Sequence, residues 1–98
     1  MNRIEAIDSL KRRADVIKAM GATSLYLFGS VVQDQATRGS DLDLFIDYDP
    51  MSRFNAFDLV GIKQFLENEL GIDVDITTRD GLHPMLRDAI EQSAIRIF

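Results

Sequence analysis

Residues 41–48, read as Asp41-Leu42-Asp43-Leu44-Phe45-Ile46-Asp47-Tyr48, alternate with a period of two. In an extended chain Leu42, Leu44, Ile46 and Tyr48 fall on one side, and Asp41, Asp43, Phe45 and Asp47 on the other. Residues 72–77 repeat the division, with Ile72, Val74 and Ile76 opposed to Asp73, Asp75 and Thr77. Two strands divided in the same way predict one sheet. Its apolar face packs on helices, and its acids share the open face.

Asp41 and Asp43 then point the same way, with Cα atoms roughly 6.5 Å apart. Carboxylates so placed repel each other unless a cation sits between them. Oxygen-only ligands suit magnesium or manganese rather than zinc. Ten residues upstream, the β-forming run Leu25-Tyr26-Leu27-Phe28 stops at Gly29-Ser30. If that pair and the acids serve one ligand, the end of the first strand lies beside the start of the second, so the two run antiparallel. Gly29 lets a phosphate approach the backbone, the amides that follow offer donors, and the Ser30 hydroxyl adds another. In outline this is a site for a nucleoside triphosphate.

The set Phe28-Gly29-Ser30-Val31, Ser40-Asp41-Leu42-Asp43-Leu44, Val74-Asp75-Ile76 and Leu82-x-Pro84-x-Leu86-Arg87-x-x-Ile90 spans nearly the whole chain. It resembles the signature of the DNA polymerase beta-type nucleotidyltransferases. The short chain is similar to their minimal branch, the antitoxins paired with HEPN-domain toxins. The resemblance implies an α/β fold, a small mixed sheet with helices on one face, like the polymerase beta palm. It implies that Asp41, Asp43 and Asp75 are catalytic and hold two Mg2+ ions (or Mn2+), with Asp75 accepting the proton of the attacking hydroxyl. Gly29 and Ser30 would bind the nucleotide's phosphates. The implied reaction moves AMP from ATP to a hydroxyl, a tyrosine of a HEPN toxin, and releases pyrophosphate. The sequence departs from many relatives at Gln33 and Asp34, where Arg and Gly are usual; Arg38 is the candidate to supply the missing positive charge to the nucleotide, or is simply an exposed turn residue. Two other readings stay open: a binding-only antitoxin with little turnover, and transfer to another protein or a small molecule.

Composition narrows the setting. Ninety-eight residues predict one domain over 1–98, with a single core. A net charge of −5 argues against broad binding to nucleic-acid backbones. The absence of cysteine fits a reducing cytoplasm, and no apolar run approaches a membrane span or a signal peptide.

The remaining segments read as helices and a tail. Ile4, Ile7, Leu10, Ala14 and Ile17 form the stripe of one helix ended by Gly21, with Lys11-Arg12-Arg13 as a solvated face or an acidic-partner patch. Residues 31–39 predict a short helix and a turn. A long helix follows Pro50, with Ser52 as its N-cap, Gly71 past its end and a wide arc of apolar residues that leaves one edge for a partner. A last helix over 84–93 turns Leu86, Ala89 and Ile90 inward. His83 is a loop residue. Asp47 and Asp49 read as solvated strand-end acids. The apolar tail 94–98 either forms an edge strand of the same sheet or docks another chain.

Overall fold

A computed structural model describes residues 1–33 and 41–98. The predicted alternation becomes strands β1 (Ala22–Phe28), β2 (Leu42–Tyr48) and β3 (Val74–Thr78), joined by a short β4 (Ile95–Arg96). Their order is β3-β2-β1-β4. β1 runs antiparallel to both β2 and β4, while β2 and β3 are parallel. The parallel pair needs a crossover, which the helix α3 (Ala56–Leu70) supplies. The fold is thus the expected α/β one, a small mixed sheet. Leu25, Leu27, Leu42, Leu44, Ile46 and Val74 turn to the helical side and are almost wholly buried. There they meet Ile62 and Leu66 of α3 and the helices α1 (Arg3–Arg12) and α2 (Ala14–Ala19).

The first helix differs from its sequence reading. It breaks at Arg13 into α1 and α2, and the buried stripe is Ala6, Leu10 and Ile17. Ile4 is 75% exposed. Two positions along a helix are about 200° around it, so once Ala6 faces the sheet Ile4 faces away. The exposed Asp8–Arg12 pair contributes about 0–1 kcal/mol, against about 1.5–3 kcal/mol for burying Leu10, so packing rather than charge holds α1. Arg13 is not part of a solvated face. Its Nη1 donates to the Ser9 carbonyl at 2.8 Å, and its Nε lies 3.5 Å from Glu69 of α3.

The cap of α3 lies three residues later than expected, at Asn55 rather than Ser52. Ser52 instead closes the turn after β2, donating to the Asp49 carbonyl at 2.6 Å, and Phe54 stacks on Tyr48 with ring centres 5.0 Å apart. The helix can begin only after that stack. Asn55 caps it, accepting from the Phe57 amide at 2.8 Å, while Asp58 accepts from the Asn55 amide at 2.9 Å. Gly71 ends it at φ +66°. Phe57 and Val60 stand on the exposed edge. Asn55→Ala is expected to cost about 1 kcal/mol, lowering the melting temperature by roughly 4–8 °C in thermal denaturation.

The C-terminal segment corrects a further expectation. α4 spans Arg87–Ser93, and Leu86 and Ala89 are exposed, with Ile90 only partly buried. The segment is anchored by the buried Leu82 and by charged contacts described below, rather than by an apolar stripe. The tail forms an edge strand: β4 pairs with β1, Ile97 donates to the Leu25 carbonyl at 2.8 Å, and Ile97 is buried. No helix among the described residues is long and apolar enough to cross a membrane.

Candidate active site

The register of the sheet brings the end of β1 to the start of β2, with Phe28 opposite Asp43. Directly after Phe28 the chain turns at Gly29, whose φ is +80°. A β-carbon at Gly29 would collide with Oδ2 of Asp43. The bare α-carbon is therefore where the Asp43 carboxylate fits. Past it, the Gln33 amide donates to the Gly29 carbonyl at 3.3 Å, and Val31 and Val32 are buried in the core. Ser30 is held in this turn at the strand end, half-buried.

On the other side of β2, the parallel ladder sets Asp43 opposite Asp75. Asp41 is exposed just ahead of β2, Asp43 is half-buried and Asp75 is exposed. Asp73, the other acid on that stretch, precedes β3, and its carbonyl accepts from the Leu42 amide at 3.0 Å. Burial pushes the Asp43 carboxyl above the usual carboxylate range, and the charges of Asp75 and Asp41 push it further. No described cation is among the groups acting on it. Of the residues singled out from sequence, the structure thus groups Gly29, Ser30, Asp41, Asp43 and Asp75 at one end of the sheet. Arg38, the predicted short helix over 31–39 beyond Gln33, and Asp34 lie outside the described residues.

Among the described residues no three acids stand close enough together to form a ready metal cage. The donor set is nonetheless oxygen-only, and among the described residues the charges that act on its central carboxylate are like charges. By chemistry these residues fit magnesium or manganese, provided that the carboxylates close in on the ion.

The same face carries a second cluster that sequence reasoning missed. Tyr26 and Phe45 stack with ring centres 4.6 Å apart, and Phe28 tilts against Phe45 at 5.8 Å. The guanidinium of Arg79 covers both stacked rings, 4.9 Å from Tyr26 and 5.0 Å from Phe45. Arg79 grips Asp47 with two hydrogen bonds, Nε at 2.8 Å and Nη2 at 2.9 Å, and lies 3.5 Å from Glu91 of α4. Asp47 is therefore not a solvated strand-end acid; the Arg79 hydrogen bond holds its carboxyl below the usual range. One signal was available. Asp75, Thr77 and Arg79 alternate, which puts Arg79 on the acid-bearing side if β3 is followed two residues further.

Comparison with known proteins identifies the family and the fold. The nucleotidyltransferase domain profile matches residues 5–97. A candidate protein adenylyltransferase of Methanocaldococcus jannaschii is 29% identical over 92 residues, covering 93% of this chain and 97% of that protein. A solved candidate minimal nucleotidyltransferase is 30% identical and superposes with a TM-score of 0.81 over 97% of this chain and 95% of that one. The fold also matches, with a TM-score of 0.67 and 15% identity, a chain in the complex of a tri-AMPylated HEPN toxin with MNT antitoxin from Shewanella oneidensis; the match covers 94% of this chain and 71% of that one. With that profile running over nearly its whole length, the chain belongs to the nucleotidyltransferase domain family.

Proposed function

We propose that residues 1–98 act as one domain that transfers AMP from ATP to a tyrosine hydroxyl of a HEPN-domain toxin, as an antitoxin working in the cytoplasm. The observation that carries this reading is the seating of Asp43 against the bare backbone of Gly29 with Asp75 directly opposite. It places an acid pair beside a strand-end turn whose glycine leaves the backbone open to a phosphate. The names of the relatives support the transferred group and the partner: a candidate protein adenylyltransferase, and an antitoxin solved with an AMPylated HEPN toxin.

In this reading Gly29 and Ser30 hold the β- and γ-phosphates, which leave together as pyrophosphate, and Arg38 adds positive charge to the nucleotide. Asp41, Asp43 and Asp75 would hold Mg2+ or Mn2+, which when bound would neutralise phosphate charge and favour ionisation of the attacking phenol. Asp75, which is exposed, accepts the proton of the incoming hydroxyl. Atoms balance: the tyrosine oxygen bonds to the α-phosphorus, the bond from that phosphorus to the bridging oxygen breaks, and pyrophosphate departs.

The test mixes this protein with its cognate HEPN protein, magnesium and ATP labelled at either the α or the γ position, followed by a denaturing gel. Label from the α position is expected on the partner and none from the γ position. Label from the γ position would mean phosphoryl transfer. A tight complex without label would leave the binding-only antitoxin as the better account. Calorimetric titration of ATP with and without magnesium gives a separate expectation, a strong loss of affinity in EDTA; equal affinities would sink the metal-dependent reading.

A further inference from the structure

We infer that Arg79 is a positioning residue whose clamp on Asp47 locks β3 in register against β2, keeping Asp75 opposite Asp43. The functional part of this inference rests on the proposed use of that acid pair.

On the site face β2 presents Asp43, Phe45 and Asp47 in turn, while β3 and its continuation present Asp75, Thr77 and Arg79. The ladder sets Asp43 against Asp75 and Phe45 against Thr77, and ends at Ile46 with Thr78. Asp47 and Arg79 stand one step beyond, joined by their side chains through the two-pronged bond. One end of the row thus holds like charges directly opposite each other, which weakens strand pairing, and the other end holds an opposite pair. Among the described residues β3 is an edge strand paired with β2 alone, so no further described strand holds it from the far side.

Arg79 is well anchored for this task. The Tyr26 and Phe45 rings lie under its guanidinium, Glu91 approaches from α4, and about a quarter of its side chain is exposed. A shielded, forked arginine–carboxylate pair is geometrically far more selective than a surface ion pair. Arg79 is absent from the charges that act on Asp43, so neutralising that carboxylate is not its part. What the clamp offers the acid pair is the strand register.

Two readouts on the full chain test this. In Arg79→Met, amide hydrogen exchange in β3 is expected to accelerate at least tenfold, with the β1–β2 amides unchanged. Manganese affinity, measured by electron paramagnetic resonance, is expected to fall at least threefold. Charge alone predicts the opposite sign, because the variant has lost a cation from the acidic face. Ile62→Val, a core change away from the site, should leave manganese affinity unchanged at similar loss of melting temperature. Should Arg79→Met fail to fold, Asp47→Asn gives the same exchange test. Unchanged exchange in β3 overturns the lock. Faster exchange with equal or tighter manganese binding overturns the positioning role and leaves Arg79 a structural clamp. If the native protein binds no manganese, the metal reading of the site fails, while exchange still decides the lock.

Discussion

Asp43→Asn is expected to reduce AMP transfer by on the order of a thousandfold or more while leaving the protein at least as stable. Asparagine keeps the shape of the side chain beside Gly29 and removes the charge that Asp75 and Asp41 oppose. Because the folded protein holds a proton on Asp43 more tightly than the unfolded chain does, this residue lowers stability as pH rises from its ordinary value of 3.8 through the raised one. Above that window the asparagine variant escapes the penalty. Thermal melts at acidic and neutral pH should therefore show the variant gaining on the native protein as pH rises. Asp47 behaves in the opposite sense. Its carboxyl is lowered by the Arg79 bond, so its contribution is present above the ordinary range and is lost as pH falls below it. The two effects occupy different pH windows and can be separated. A marked loss of stability in Asp43→Asn at neutral pH would show that the carboxylate is structural instead.

Gly29→Ala is the second substitution with a large expected effect, and it acts by two routes. At φ +80° a side chain costs about 1–2 kcal/mol in the backbone alone. The added methyl must also displace the Asp43 carboxylate. A misplacement of about 1 Å at a reacting centre can cost on the order of a hundredfold in rate. Transfer should fall by at least that much, with a melting temperature several degrees lower. A double-mutant cycle separates the routes. In an Asp43→Ala background the collision with the carboxylate is gone and only a tight contact with the residue-43 β-carbon is left, so Gly29→Ala should cost little more than its backbone share. Equal cost in both backgrounds would mean that the carboxylate does not press on Gly29, and that glycine serves the turn alone.

The faces of β2 and β3 were legible in the sequence because alternation is a local property. Leu42, Leu44 and Ile46 could not be buried without turning Asp43 to the other side, and Val74 fixes Asp75 in the same way. The antiparallel pairing of β1 with β2 was legible too, from the need for Gly29 to reach the acids. Local signals failed wherever two options were close in energy. Ser52 and Asn55 are both good caps, and the stack of Phe54 on Tyr48 settles between them. Ile4 and Ala6 both offer a helix face to the sheet, and Ala6 is the one buried, in line with Leu10. The tail at 94–98 suits an edge strand or a partner equally, and the open edge of β1 takes it. The clamp of Arg79 on Asp47 was the least visible of all. These residues are 32 apart, and alternation gives the face that Arg79 shares with Asp47 but not their pairing. Alternation is imposed by the geometry of each strand, residue by residue, whereas a forked ion pair exists only after β3 has been laid in register beside β2.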